Sequence, residues 1–220
     1  MKQLQMLSEL LKSIWTEFHN ETTDIYVINI KDISCRDMRA AYCLMSESRR
    51  RKCDDLRREE DKMRCIAADM LLRTVLFELC GIAPEALSFS FEENGKPYCK
   101  NTDINFSVSH SDELVCVCAD KKHRVGVDIE KIRPVKASLM SFFCNEAEID
   151  FITGASVTED GMLTSTEVVD RFFRVWTFKE AMVKLSGEGI TDEIKKVTFL
   201  EENCFSVILN GYRLTAISEK

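Results

Sequence analysis

Apolar residues recur along this chain with two periods, and the switches between them mark its elements. Leu4, Leu7, Leu11, Ile14, Trp15 and Phe18 fall three to four residues apart, which predicts an amphipathic helix over 2–19. Asp24–Ile30 is rich in β-branched and aromatic residues and predicts the first strand. A helical period returns from about Ser34 to Cys80 and stops at Gly81 and Pro84. Leu87–Glu92 alternates as a strand, and Asn94-Gly95 marks a turn. Strands are expected at 103–110, 114–119 and 124–130, pairing in succession across the turn at 120–123. After Pro134 the pattern predicts a helix over 138–152, a polar and mobile loop over 153–166, and a long helix over 167–186 capped by Gly187 and Gly189. Three short strands, at 196–200, 205–209 and 212–217, close the chain. The helix-then-strands order occurs twice, which suggests two similar halves meeting near residue 100.

One strand carries chemistry. In Arg124-Val-Gly-Val-Asp-Ile-Glu130 the apolar residues alternate with Gly126, Asp128 and Glu130, so both acids project from one face. Two carboxylates so placed repel unless a proton or cation lies between them. Hard oxygen ligands of this kind suit Mg²⁺ together with phosphate oxygens. The plain alternative is a strand with two solvated acids.

The net charge of −7 excludes a general nucleic-acid binder, which needs a basic footprint. No apolar run has the length of a membrane span. Met1 to Asn20 lacks the basic, apolar and small-residue order of a secretory signal, so a cytoplasmic protein with ten reduced cysteines is expected. No CxxC pair, Gly-x-Ser-x-Gly elbow, HExxH or P-loop is present, which removes the usual zinc, serine-hydrolase and NTPase readings.

Two further clusters stand out. Arg49-Arg-Arg-Lys52 is basic without an interleaved acid; it is either a solvated helix face or an anion site. Gly95-Lys96-Pro97 places a lysine on a stiff, exposed loop, as a phosphate contact or a hairpin tip. In the long helix, Trp176, Glu180 and Lys184 are four apart and share a face, with Lys179 at its edge. A surface Glu–Lys pair accounts for the charges but not for the tryptophan. A carboxylate base beside cations accounts for a phosphate chemistry.

Phe106-Ser-Val-Ser-His-Ser111, Val125-Gly-Val-Asp-Ile-Glu130 and Trp176-Thr-Phe-Lys-Glu-Ala-Met-Val-Lys184, in this order, resemble the signature of 4′-phosphopantetheinyl transferases of the single-chain, two-half type. Arg49 to Lys52, Gly95-Lys-Pro97 and Gly187-Glu-Gly189 also match, so the resemblance covers roughly 45–190. It implies an α+β fold of two pseudosymmetric α/β halves with the active site in the cleft between them. The expected division is an extra N-terminal helix over 1–22, an N-terminal half over 23–103 and a C-terminal half over 104–220.

The resemblance implies transfer of the 4′-phosphopantetheine arm of coenzyme A to a serine of an apo acyl or peptidyl carrier protein. The reaction needs Mg²⁺ and releases adenosine 3′,5′-bisphosphate. It implies Asp128 and Glu130 as metal ligands, with a third acid from the following helix, Glu148 or Glu146. Glu180 resembles the general base, and Lys179 and Lys184 the pyrophosphate and proton-transfer lysines. Arg49, Lys52, Arg64, Lys96, Ser109 and His110 match coenzyme contacts. A monomeric, cytoplasmic enzyme without nucleic-acid or membrane partners is implied. The alternative is a catalytically silent coenzyme A- or nucleotide-binding module of the same fold.

Overall fold

The computed structural model describes residues 2–19, 23–154, 161–187, 192–199 and 204–219. The amphipathic start is helix α1 (Lys2–Ile14), followed by strand β1 (Thr16–His19). The helix ends earlier than its period predicts. Leu7 and Leu11 are buried, whereas Trp15 packs on Tyr26 with ring centroids 4.7 Å apart. Residues 16–19 then pair antiparallel with β2 (Asp24–Asn29). The segment 2–19 is therefore a helix plus an edge strand, and residues 1 and 20–22 lie outside the described residues.

The helical region resolves into α2 (Cys35–Leu44), α3 (Glu47–Asp54) and α4 (Glu59–Cys80). The Ser34 and Ser46 side chains cap α2 and α3 by accepting from the N–H of Asp37 and Arg49. Gly81 ends α4 at φ 72°. A short hairpin follows, β3 (Phe89–Phe91) with β4 (Pro97–Cys99).

Strands β5 (Asn105–Ser111) and β6 (Leu114–Asp120) join β2 and β1 in an antiparallel sheet of order β1-β2-β6-β5. The next strand, β7 (Val125–Lys131), does not pair with β6 as expected. Asp120 Oδ1 accepts from the N–H of Lys122 and His123, and this turn leads the chain out of the first sheet. Strand β7 pairs instead with β11 (Tyr212–Ser218), which pairs with β10 (Phe205–Leu209). The β10–β11 turn uses Asn210 and Gly211 at φ 50° and 80°, the two positive values of a tight hairpin. The two units thus divide between β6 and β7. The expected boundary at 103/104 is corrected, because 105–120 complete the first sheet.

The segment 138–152 is not one helix. A 3-10 turn at Ala137–Leu139 leads into α5 (Met140–Phe143), and α6 (Glu146–Thr153) starts afresh. Asn145 breaks the run by capping α6, reciprocally with Glu148. Within the expected mobile loop, β9 (Met162–Leu163) pairs with β8 (Val135–Lys136); residues 155–160 lie outside the described residues. Helix α7 (Thr166–Ser186) ends at Gly187, φ 83°; Gly189 lies outside the described residues. Asp192–Lys196 forms a 3-10 turn and 197–199 are not a strand, so the first of the three closing strands is absent there.

The layers run helix, sheet, sheet, helix. Leu71 and Val75 of α4 pack on Tyr26, Ile28 and Val117 of the first sheet. Ile25, Val27, Cys116 and Cys118 on its other face meet Val127, Ile129 and Leu214 of the second sheet. Helix α7 covers the far side through Phe178, Ala181 and Leu185. A Cβ on Gly126 would lie 1.9 Å from the Ala181 carbonyl oxygen. This glycine therefore makes room for the α7 backbone rather than for the neighbouring acids. The fold is α+β, built as two α/β halves. All ten cysteines are free, and no described helix is long and apolar enough to cross a membrane.

Candidate active site

The two sheets meet edge to edge along β5 and β7. Alternation sends Phe106 and Val108 toward α4 and turns Ser107, Ser109 and Ser111 toward β7. Their hydroxyls accept from the N–H of Val127 (3.1 Å), Ile129 (3.4 Å) and Lys131 (3.1 Å). Ser109 donates to Asp128 Oδ1 and Ser111 to Glu130 Oε2, both at 2.7 Å.

Helix α7 presents its stripe to the same acids. Trp176 and Glu130 border one groove, and the indole opposes the rise of the Glu130 carboxyl, which accounts for a tryptophan on that face. Lys184 Nζ donates to Ser109 Oγ and Asp128 Oδ1, each at 2.7 Å. Glu180 faces both Asp128 and Glu130. Burial, and then the Asp128 charge, push its carboxyl up to about 7; Lys184 opposes this and is outweighed. Burial also raises the Glu130 carboxyl above its ordinary value.

Asp128 Oδ2 and Glu180 Oε1 are buried without a hydrogen-bond partner. Unsatisfied carboxylate oxygens in a cluster of acids fit a hard divalent cation. Among the described residues no three acids, histidines or cysteines are already converged as a metal group. The Lys184 ammonium lies 2.7 Å from Asp128 Oδ1.

Three expected site residues sit elsewhere, and a fourth, Lys96, borders the cleft with its ammonium bonded within the protein. Lys179 is fully buried and donates to the Ile194 carbonyl, with Glu148 Oε2 at 2.8 Å. It follows the core-facing side of α7 rather than the stripe. The other Glu148 bonds run from the N–H of Asn145 and Phe199, so both oxygens of its carboxylate are bonded within the protein. Glu146 is exposed at the start of α6. The acid that faces Asp128 and Glu130 is Glu180 of α7 rather than Glu146 or Glu148 of α6. Lys96 is buried rather than exposed, and its ammonium donates to the carbonyls of Val125 (2.8 Å) and Leu185 (3.0 Å). It ties the β3–β4 turn to β7 and α7, and burial lowers it to about 8.

The remaining basic residues line a cleft. A cavity of about 400 Å³ is bounded by Arg49, Lys52, Phe89 and Phe91. A second, of about 280 Å³, is bounded by Ser107, Val183 and Lys184. They share Pro97, Phe106 and Val108 as walls, so one trough leads from α3 to Lys184, the cation that contacts Asp128. Lys52 Nζ sits 4.4 Å from the centre of the Phe91 ring. His110 is exposed at β5; desolvation and then the charges of Arg64 and Lys184 lower its pKa. Arg64 donates to the Asp112 carbonyl at 2.8 Å and pairs with Asp61. Glu130 also borders a groove of about 270 Å³ with Arg133, Leu139, Phe142 and Trp176.

The sequence reading passed over Asp69 and Arg73, a buried pair at 2.7 Å behind Arg49, whose Nε lies 3.9 Å from Asp69 Oδ1. The signal was present: two opposite charges four apart within the most apolar part of α4. Ser107 and Ser111 were likewise not assigned a task.

Residues 124–215 match a family model described as the 4′-phosphopantetheinyl transferase superfamily. Residues 33–122 match one described as 4′-phosphopantetheinyl transferase, N-terminal. The chain is similar to a 4′-phosphopantetheinyl transferase of Bacillus subtilis, 30% identical over 148 residues, covering 67% of this chain and 62% of that protein. It is similar to 4′-phosphopantetheinyl transferase gsp of Aneurinibacillus migulanus, 35% identical over 131 residues, covering 60% and 51%. It is also similar to 4′-phosphopantetheinyl transferase Sfp of Bacillus subtilis strain 168, 28% identical over 148 residues, covering 67% and 62%. The match spans less than two thirds of the length of each of these relatives. The two family models abut where the chain passes from β6 to β7, each covering one half of the fold. With that division and the similarity to these relatives, the chain belongs to the 4′-phosphopantetheinyl transferase superfamily.

Proposed function

We propose that this protein transfers the 4′-phosphopantetheine arm of coenzyme A to a serine of an apo acyl or peptidyl carrier protein. The observation that carries the reading is the trough running from a basic end, at Arg49 and Lys52, to Lys184, whose ammonium bonds Asp128 beside the unsatisfied carboxylate oxygens. Coenzyme A has the complementary polarity, with a 3′-phosphate at one end and a pyrophosphate nearer the arm. Arg49 and Lys52 bind the 3′-phosphate by charge-assisted bonds. Asp69, fixed by Arg73, stands behind Arg49 and orients it. His110 contributes as a neutral donor near neutral pH, given its lowered pKa.

Asp128 and Glu130 would hold Mg²⁺, which supplies charge neutralisation on the pyrophosphate when bound. Lys184 adds a fixed cation at the same end of the trough. Glu180 carries the acid–base role. Its carboxyl, raised to about 7, is matched to accepting the proton of the attacking serine at neutral pH. The serine oxygen forms a bond to the β-phosphorus as the bond to the bridging oxygen breaks. Adenosine 3′,5′-bisphosphate leaves.

The test is incubation with coenzyme A, Mg²⁺ and an apo carrier protein, read by mass spectrometry. The expected result is a carrier heavier by one phosphopantetheine arm, with adenosine 3′,5′-bisphosphate formed in equal amount. Coenzyme A breakdown without any carrier would instead identify a phosphohydrolase.

A further inference from the structure

The seam between β5 and β7 has a property that joining two sheets does not require. Each of its three serines accepts a backbone N–H of β7, at a constant offset of twenty residues. This satisfies an edge strand that would otherwise bury unpaired donors. Ser107 faces the stretch of β7 at Gly126, and no bond from its hydroxyl to a carboxylate is seen among the described residues. Ser109 and Ser111 in addition donate their protons to Asp128 and Glu130.

A hydroxyl has one proton to donate and two lone pairs. Ser109 uses all three: it donates to Asp128 Oδ1 and accepts from Ile129 N–H and Lys184 Nζ. Its proton is therefore directed at one carboxylate oxygen. The other oxygen, Asp128 Oδ2, is buried and without a partner. Ser111 acts alike on Glu130 Oε2.

From this geometry we propose that Ser109 and Ser111 are positioning residues, which turn the Asp128 and Glu130 carboxylates so that their remaining oxygens bind a divalent cation. Ser107 serves the seam alone. The inference rests on the proposed metal role of Asp128 and Glu130. It departs from reading Ser109 as a coenzyme contact, because every hydrogen-bonding site of its hydroxyl is occupied within the protein. Outer partners of this kind are worth roughly ten- to a hundredfold in metal affinity.

The test uses Mn²⁺ as a spin-detectable probe for the hard-cation site, titrated into the whole protein and followed by electron paramagnetic resonance. Ser109→Ala and Ser111→Ala are each expected to weaken Mn²⁺ roughly ten- to a hundredfold, and Ser107→Ala by less than about twofold. Thermal unfolding should shift least for Ser107→Ala, which loses only a seam bond, and more for Ser109→Ala and Ser111→Ala, which also lose a bond to a carboxylate. Ser109→Thr keeps the hydroxyl and is expected to recover Mn²⁺ affinity; it also provides a readout if the alanine variant fails to fold. Equal weakening by Ser107→Ala and Ser109→Ala would reduce the serines to a structural seam. So would unchanged Mn²⁺ binding in Ser109→Ala, or failure of a folded Ser109→Thr to bind as the wild type does. Asp128→Asn separates the two levels. If it binds Mn²⁺ normally, the metal reading falls and this inference with it. If it loses Mn²⁺ while Ser109→Ala and Ser111→Ala keep it, only the positioning role falls.

Discussion

The ammonium of Lys184 lies 2.7 Å from Asp128 Oδ1, although its neighbour one turn back on α7 is Glu180. The lysine thus crosses from the helix to the strand and places a positive charge beside the proposed metal site. Lys184→Met should leave Mn²⁺ affinity unchanged or tighter, because that positive charge is gone. Turnover should nevertheless fall by roughly two to three orders of magnitude, the scale for removing one preorganised charge from a phosphate-handling site. Parallel titration and rate measurements decide it. If metal affinity drops in step with the rate, Lys184 acts by holding the carboxylate in place.

Lys179 and Glu148 form a buried pair at 2.8 Å. Removing one member leaves the other charge buried alone, a loss of about 3–5 kcal/mol. Lys179→Met and Glu148→Gln should each unfold at lower urea, while the rate per folded molecule and the Mg²⁺ dependence stay near wild type. Glu146→Ala should alter neither stability nor Mg²⁺ dependence, since that side chain is exposed. A Glu148→Gln variant that folds normally but needs far more Mg²⁺ would return α6 to the metal site.

These assignments show where the sequence was readable. The alternation of Val125, Val127 and Ile129 with Asp128 and Glu130 survives intact, because a two-sided strand leaves each residue only one face. The four-residue stripe Trp176, Glu180 and Lys184 survives for the same reason on a helix. What periodicity did not carry was the partner of each charge. Lys179 is one residue, about a quarter-turn, from the stripe, and that offset turns it into the core. Asn145 and Glu148 spell a capping box, a local signal that competes with the reading of Glu148 as a ligand. Lys96 appeared exposed because Gly95 and Pro97 mark a turn; a tertiary contact with Val125 and Leu185 buries it. The transfer of β7 to the second sheet was illegible because β11, its partner, lies over eighty residues downstream.

Lys96 has a pH signature. Its folded pKa, about 8, is below the ordinary 10.5. Between these values the unfolded chain binds more protons, so the contribution of Lys96 to stability rises with pH across that window. Below pH 8 the full penalty of burying the ammonium is present. Wild type minus Lys96→Met, measured by urea unfolding at pH 7 and pH 10, should therefore shift in favour of wild type by roughly 1–3 kcal/mol. Other alkaline effects cancel in the difference. Parallel curves would mean that the amine is solvated.

Lys52 and Arg49 border the wide end of the trough. If they hold the 3′-phosphate, Lys52→Ala should raise KM for coenzyme A by roughly tenfold or more, the scale of a lost charge-assisted bond, with little effect on the 3′-dephospho form. The comparison of the two coenzymes is the measurement. Equal losses would identify the basic run as a solvated face of α3, with its effect on coenzyme A only indirect.

Glu180 is the sharpest case, because its position permits two roles. Its Oε1 is unpartnered, and its carboxyl is raised by burial and by Asp128. Glu180→Gln keeps shape and hydrogen-bonding capacity but cannot accept the serine proton. Turnover should fall by about two to four orders of magnitude, as for other lost general bases. Coenzyme A affinity by calorimetry and Mn²⁺ affinity by spin titration should change far less, since Arg49, Lys52, Asp128 and Glu130 remain. The neutral side chain also relieves the repulsion among three acids, so the metal-free variant should be no less stable than wild type at pH 8. Loss of Mn²⁺ binding together with turnover would place Glu180 as a third ligand beside Asp128 and Glu130. Normal turnover would leave the site without its assigned base and refute the role outright.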